Sequence, residues 1–394
     1  MKSTVIVAAK RTPIGSLLGS LSSVKASSLG ACTIKAVLDQ SKLTSNDIDQ
    51  VILGNVVSSG IGQAPARQAA IKAGLSHNTI CTTINKVCAS GMKSVTLGAQ
   101  SIALGQSKAI IAGGFESMSL TPHYVYHRKG IPYGNGFLLD GIYHDGLLDA
   151  FDNVPMGVCA EKTVKDYSIS RQSQDDYCEL SYSRTKKVIN EKNNFNNEIC
   201  NVEIENPKTK KLQIVSEDEE PNKFLQDKFR NLRPVFDKTG TITAANASKI
   251  NDGACSMLIV EEEYAKSKNL QILARIKAYE DAEISPVDFS IAPASGILKL
   301  LKNNNLKVND ISAFEINEAF SSVVLANMNI LGVDVNKVNL HGGAVALGHP
   351  IGMSGARIIL SLMSVLQKNK GGLGIASICN GGGGSTSILI ENMI

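Results

Sequence analysis

At 394 residues the chain exceeds what one hydrophobic core normally supports, so two halves or two units with an insertion are expected. Apolar residues at 43% and charged residues at 19% exclude a disordered chain, and a net charge of +4 is too weak to argue for nucleic acid while tolerating an anionic ligand. Eight cysteines without any C-x-x-C spacing exclude the zinc and thioredoxin patterns and suit free thiols.

The chain opens on a strand over Ser3 to Ala9, too short to be the apolar core of a secretory signal. No Arg-rich, acid-poor leader precedes it, and no run approaches the roughly 20 apolar residues that span a bilayer. A cytoplasmic protein is expected, or a mitochondrial one if the chain is a processed form. Apolar, Gly-bounded runs at Val51 to Val57 and Ala109 to Gly114 predict buried strands, with a helix from Gly91 to Leu104 between them. From Leu120 to about Arg233 the composition turns to Pro, Tyr, His and Gly, then to Lys, Asn, Asp and Glu. This reads as an insertion of loops and exposed helices rather than a second core. Alternation then resumes. Strands are expected at Ala313 to Ile316, Lys337 to Leu340 and Gly374 to Ile378, and a helix at Gly355 to Gln367.

The two ends repeat one order. Ser90-Gly91 opens a helix leading to a strand that ends in Gly113-Gly114; Ser354-Gly355 opens a helix leading to a strand that ends in Gly381-Gly382. A duplicated α/β half follows, with mixed sheets covered by helices.

Four blocks carry residues suited to chemistry. In Asn85 to Gly91, Cys88 sits just ahead of a helix start, where unpaired N–H groups favour thiolate and could hold an oxyanion; a small buried Cys at a strand-to-helix corner is the plain alternative. In His341 to Gly352, glycines bracket His349, whose imidazole moves protons near neutral pH, and Pro350 keeps His349 out of a helix; a structural His in a Gly-rich loop is the alternative. His341 is taken as structural. In Cys379 to Ser385, four consecutive glycines after a strand let a ligand lie against the main chain, or else form a flexible loop. They are neither a dinucleotide-binding turn nor a P-loop. Asn317 and Glu318 follow a strand end, where polar side chains face sites, or where Glu318 starts a helix.

Together these blocks resemble the thiolase family over nearly the whole chain. Arg11 to Gly15, Gly62 to Gln68, Gly113 to Ser119 and Thr243 to Ser248 add to the match. Within the family, Ile378 to Gly384 and Asp288 to Pro293 are most similar to acetoacetyl-CoA thiolases of the mitochondrial animal type. The resemblance implies an α/β thiolase fold, with two duplicated halves stacked in five layers (αβαβα) and an inserted loop domain. The halves would be 1–120, completed by about 249–271, and 272–394, with 121–248 covering CoA.

It implies an acyltransferase that condenses two acetyl-CoA to acetoacetyl-CoA and CoA through an acetyl-cysteine. Cys88 would be the nucleophile, His349 its base and Cys379 the base and acid of the second step. A water on Asn317, with His349, would stabilise the thioester oxygen, and the N–H groups of Cys88 and Gly381 the tetrahedral oxygen. Ser248, Lys223, Lys228, Met156, Phe289, Ala319 and Phe320 would bind CoA and the acyl group. Tyr182, Ala244, Ala245, Ala247 and Val345 would surround a potassium ion. No covalently bound cofactor, nucleic acid or membrane is expected; a homo-oligomer is, with a tetramer favoured. A thiolase for longer 3-ketoacyl-CoA, a Cys/His hydrolase and a non-catalytic CoA-binding protein remain as alternatives.

Overall fold

The computed structural model describes residues 2–191, 195–205 and 209–394. In the first half, strands β1 (Thr4–Arg11), β2 (Gln50–Gly54), β3 (Ile80–Ile84), β4 (Ala109–Ser117) and β5 (Asn251–Glu261) lie in the order β3-β2-β4-β5-β1. β2 is parallel to β3 and β4, and β5 is antiparallel to β4 and β1. In the second half, β6 (Ala274–Glu283), β7 (Ala313–Ile316), β8 (Leu373–Asn380) and β9 (Gly384–Asn392) lie in the order β7-β8-β9-β6. β7 is parallel to β8, and β9 is antiparallel to β8 and β6. The expected strand near Val338 is reduced to one parallel bridge with Phe314, in the place that β3 holds beside β2. Even the irregularities match: β1 slips register between Ile6 and Ala8, and β6 between Ile276 and Ala278. The duplication read from the sequence is therefore present in four strands of each half, with the Val338 bridge in place of the fifth. The halves join where Thr4, Val5 and Ile6 pair with Ile276, Arg275 and Ala274.

Alternating side chains sort into separate cores, as a sheet covered on both faces requires. Val5 and Val7 face one cluster with helices α1 (Ala26–Ser41) and α2 (Pro65–Lys72), while Ile6 faces the centre. Ile375 and Leu389 face an outer cluster with α6 (Ala292–Asn303) and α7 (Ser321–Leu331), while Ala376, Ile378, Ile388 and Ile390 face the centre. Between the sheets lie α3 (Ser90–Ala103) and α8 (Ser354–Lys368). The result is five layers. Helix α8 buries side chains around its whole circumference, as only a central helix does.

The central helices meet backbone to backbone. A Cβ on Gly91 would lie 2.8 Å from the Gly352 oxygen, and one on Gly355 would lie 2.5 Å from the Met92 nitrogen. Neither neighbour is a flexible side chain, so neither glycine has room for a methyl group.

The inserted segment contains more core than its composition suggests. Helices α4 (Met156–Asp166) and α5 (Arg171–Asn190) bury one face each, and α5 hides Tyr177, Cys178 and Tyr182. Much of the buried face of α5 is polar (Gln174, Asp175, Ser181, Thr185), which hides it from a hydrophobicity reading. The segment is tied to β1 through Arg11. Its buried guanidinium makes a bidentate pair with Asp218 at 2.7 and 2.9 Å and reaches Glu198 at 3.2 Å.

Gly355→Ala should lower unfolding stability by about 1–3 kcal/mol through overpacking, read from the denaturant midpoint. An unchanged midpoint would mean the helices do not touch here.

Candidate active site

The turn between β3 and α3 is held in an uncommon shape. Val87 has φ 47°, a conformation that costs a β-branched residue of order 1–3 kcal/mol. The surroundings fix it: Asn85 Oδ1 accepts from Val87 N at 2.8 Å, Ser90 Oγ accepts from Lys86 N at 2.8 Å, and Ser90 Oγ–H donates to the Val87 oxygen at 2.6 Å. The Lys86 ammonium reaches across to Asp281 on β6 at 2.9 Å and to the Ser385 oxygen on β9 at 3.2 Å. Cys88, next in the chain, is half-buried and packs against Val56, Val57, Met118 and Ile351.

The β8–β9 hairpin faces this turn. A Cβ on Gly381 would lie 3.6 Å from Val87 Cγ1 and 3.7 Å from Met156 Sδ. The Gly381 N–H faces the Cys88 sulfur closely enough to pull its pKa down. Gly382 and Gly383, both at φ 88°, let the hairpin turn without a side chain in the way. Cys379 closes β8, fully buried, and lies near enough to Cys88 for charge on one to raise the pKa of the other.

His349 reaches the site from the loop before α8. Its main chain is held by Asn251, whose Oδ1 accepts from His349 N at 3.0 Å. With Ser354 Oγ–H assigned as donor to the Pro350 oxygen at 2.8 Å, Oγ is the acceptor at 2.5 Å from His349 Nδ1. Nδ1 therefore carries the proton, and Nε2 presents its lone pair. Asn317 Nδ2, just past β7, stands 3.5 Å from that Nε2, a contact rather than a tight hydrogen bond. Asn317 Oδ1 has no protein partner among the described residues.

Burial sets the protonation states. Desolvation pushes the Cys88 thiol up to about 11, against the pull of the Gly381 and Cys88 N–H groups. Desolvation, with Arg357 adding to it, drops His349 to about 3. Cys379 is raised by burial and then by Cys88. The resting site thus holds two thiols and a neutral imidazole at neutral pH. The helix start ahead of Cys88 favours thiolate, but loss of solvent outweighs the local N–H groups and raises the thiol.

The residues expected around the acyl group come together. Met156, Phe289, Ala319, Phe320 and Cys379 belong to one apolar cluster with Ala247. Ser248 follows, its N–H donating to the Ala319 oxygen at 3.0 Å. Lys223 and Lys228 are exposed; the Lys223 ammonium bonds Ser16 Oγ and lies against β5 rather than beside Cys88.

Tyr182, Ala245 and Val345 also share a cluster, and Ala247 adjoins it, while Ala244 is exposed. A potassium ion among them does not fit. The carbonyls of Ala245, Ala247 and Val345 already accept from Lys249 Nζ at 3.2, 2.8 and 3.4 Å.

Ser354 and Glu116 carry roles that the sequence reading does not assign, and Glu318 takes the site-facing one of its two readings. Ser354 looks like an ordinary helix-start residue, yet it sets the His349 tautomer. Glu318 does not start α7; it is buried and accepts from Tyr177, Ser181, Asn339 and the Val345 N–H at 2.8–3.0 Å. Glu116, raised to about 7 chiefly by burial, accepts from the N–H groups of Val56, Val57 and Gly352, joining both walls of the site. A buried acid within Gly113 to Ser119 was the signal available for it.

Two thiols and an imidazole with a free Nε2, walled by a glycine hairpin and an apolar cluster, define a site built for covalent acyl chemistry. Residues 4–263 match the family Thiolase, N-terminal domain, and residues 270–392 match Thiolase, C-terminal domain. The chain is 50% identical over 394 residues to the Xenopus laevis protein named "Acetyl-CoA acetyltransferase A, mitochondrial", covering 100% of this chain and 93% of that one. It is 47% identical over 389 residues to the Gibberella zeae "Acetyl-CoA acetyltransferase ERG10, cytosolic", covering 98% of each. The crystal structure of Acat5 thiolase from Ascaris suum in complex with coenzyme A superposes with TM-score 0.94 at 42% identity, over the whole of both chains. The chain belongs to the thiolase family. Among the described residues, no helix is long and apolar enough to cross a membrane.

A neutral Cys88 makes a kinetic prediction. Its alkylation by iodoacetamide, followed by peptide mass spectrometry, should rise about ten-fold per pH unit from pH 6 to 9. A plateau below pH 8 would show a thiolate pair at rest and contradict the burial argument.

Proposed function

We propose that the chain is an acetyl-CoA acetyltransferase: it condenses two acetyl-CoA to acetoacetyl-CoA and CoA, and runs the reverse cleavage. The observation that carries this reading is the second buried thiol, Cys379, beside Cys88. A hydrolase needs one nucleophile and one base; carbon–carbon bond formation needs a further group to move the α-proton. The names of relatives near 50% identity over the full chain support the same reading.

In the first half-reaction His349 Nε2 takes the Cys88 proton as the sulfur attacks the acetyl carbonyl. The tetrahedral oxygen is met by the N–H groups of Cys88 and Gly381. The carbon–sulfur bond to CoA breaks, and the leaving thiolate takes the Cys379 proton. Acetyl-Cys88, a Cys379 thiolate and a His349 imidazolium remain. A second acetyl-CoA loses a methyl proton to Cys379, and its enolate oxygen is held by His349 and a water on Asn317. The enolate carbon attacks acetyl-Cys88, the Cys88 sulfur leaves, and it recovers its proton from His349. All three groups return to their resting states.

Ser248 and the wall of Met156, Phe289, Ala319 and Phe320 hold the pantetheine and acyl group, and Lys223 and Lys228 lie toward the nucleotide end. The segment 121–248 covers CoA over the halves 1–120 with 249–271 and 272–394. The chain assembles with copies of itself, a tetramer favoured. Exposed Tyr126, Tyr133, Phe137 and Leu138 on one loop support that assembly. A cytoplasmic location is proposed, with a mitochondrial one for a processed form.

Thiolytic cleavage of acetoacetyl-CoA tests the reading. Cys88→Ser and Cys379→Ser should each lower kcat by at least about 10³-fold while the fold persists. Longer 3-ketoacyl-CoA substrates should cleave more slowly than acetoacetyl-CoA. Absence of cleavage by the wild-type protein would remove the proposal, and full activity of Cys379→Ser would remove the two-thiol mechanism.

A further inference from the structure

Lys249 stands between Ser248 and β5, and its side chain turns inward. An ammonium has three N–H donors and no acceptor. All three are taken by main-chain carbonyls: Ala247 at 2.8 Å, Ala245 at 3.2 Å and Val345 at 3.4 Å. The Tyr182 ring lies 6.0 Å away, and that ring is stacked on Phe224 at 4.0 Å. Carbonyls from two segments, one of them 96 positions from Lys249 in sequence, therefore converge on one cation. Cys178 Sγ–H also donates to the Ala245 oxygen at 3.2 Å, but among the described residues the Ala247 and Val345 carbonyls have only the Lys249 ammonium, and three converging oxygens favour the charged form.

We infer that Lys249 is a tethered monovalent cation that takes the place of a potassium ion, so that the enzyme needs no free alkali cation. An ammonium and a potassium ion carry the same charge and are close in size, and both are satisfied by converging carbonyl oxygens. The same carbonyls cannot serve both. The gain is in positioning. The Lys249 main-chain oxygen accepts from His349 N at 3.3 Å, and Ser248 N–H reaches the Ala319 oxygen at 3.0 Å. On the far side, Val345 is gripped twice, its carbonyl by Lys249 and its N–H by Glu318 at 3.0 Å. The ammonium thus clamps the Ala245–Ser248 turn to the loop that carries His349. Burial lowers the Lys249 pKa, and Cys178, Glu220 and Glu318 oppose that shift. Lys249 touches no reacting atom; it is a positioning residue.

The test compares the full-length wild-type protein with Lys249→Ala and Lys249→Met in choline, potassium and methylammonium chloride at equal ionic strength. Melting temperature and thiolysis rate are both read. The melting arm is independent of the proposed activity, so failure of that reading would leave this one still tested. Wild type should be unchanged across the three salts. Lys249→Ala in choline should lose about ten-fold or more in rate and several degrees in melting temperature, and potassium or methylammonium should restore both. Lys249→Met, whose stem still fills the cage, should show the loss without the rescue. Stimulation or stabilisation of the wild type by potassium would overturn the inference. So would a Lys249→Ala protein as stable and active in choline as wild type, or one that neither cation rescues. If Lys249→Ala does not fold in choline, folding in potassium supports the inference and failure in every salt overturns it.

Discussion

The close approach of two central helices governs the rest of the molecule. Gly91 lies three residues after Cys88, and Gly352 three residues after His349. A methyl group on Gly91 would meet the Gly352 oxygen at 2.8 Å. That contact sets the spacing between the loop bearing the thiol and the loop bearing the imidazole. Each loop enters its helix from the edge of a different half, so the duplication is what brings the groups together. Glu116 reinforces the join by binding the N–H of Gly352 and those of Val56 and Val57. The same packing removes solvent, and the loss of solvent keeps Cys88, Cys379 and His349 neutral at rest.

A resting site without charges has a mechanistic consequence. A stable thiolate–imidazolium pair would be a good nucleophile but would lie lower in energy before reaction. In the proposed mechanism the proton leaves Cys88 only as the new bond forms, and donors fixed around the developing oxygen meet the charge when it appears. The strained Val87 turn and the glycine hairpin fix those donors in advance. The charged clamp is kept to one side: Lys249 holds the neighbouring loops through carbonyls, not through the reacting groups.

Much of this was legible in the sequence where local signals agree with the fold. The run Ala313 to Ile316 reads as a buried strand because three of its four residues are apolar, and it is one, with Glu315 buried as well. Helix α8 follows from its dense apolar pattern. The paired Ser-Gly motifs announced the duplication, and Cys88, His349 and Cys379 were singled out from their glycine surroundings and from the family resemblance. What stayed hidden depends on distant partners. Strand β3, Ile-Cys-Thr-Thr-Ile, is half-exposed at a sheet edge, so its pattern is faint. Helix α5 buries polar side chains that read as solvent-facing. Lys249 reads as a surface lysine, because its partners are backbone oxygens that no side-chain pattern reports. The raised Cys88 pKa is a property of enclosure, which a motif at a helix start does not encode.

The central claim is that Cys88 carries the acyl group between two thioesters. Incubating the protein with acetyl-CoA, quenching in acid and mapping peptides by mass spectrometry tests it most directly. One acetyl group is expected, on the peptide containing Cys88, and it should be removed when free CoA is added. An acetyl group on another cysteine, or none under turnover conditions, would contradict it.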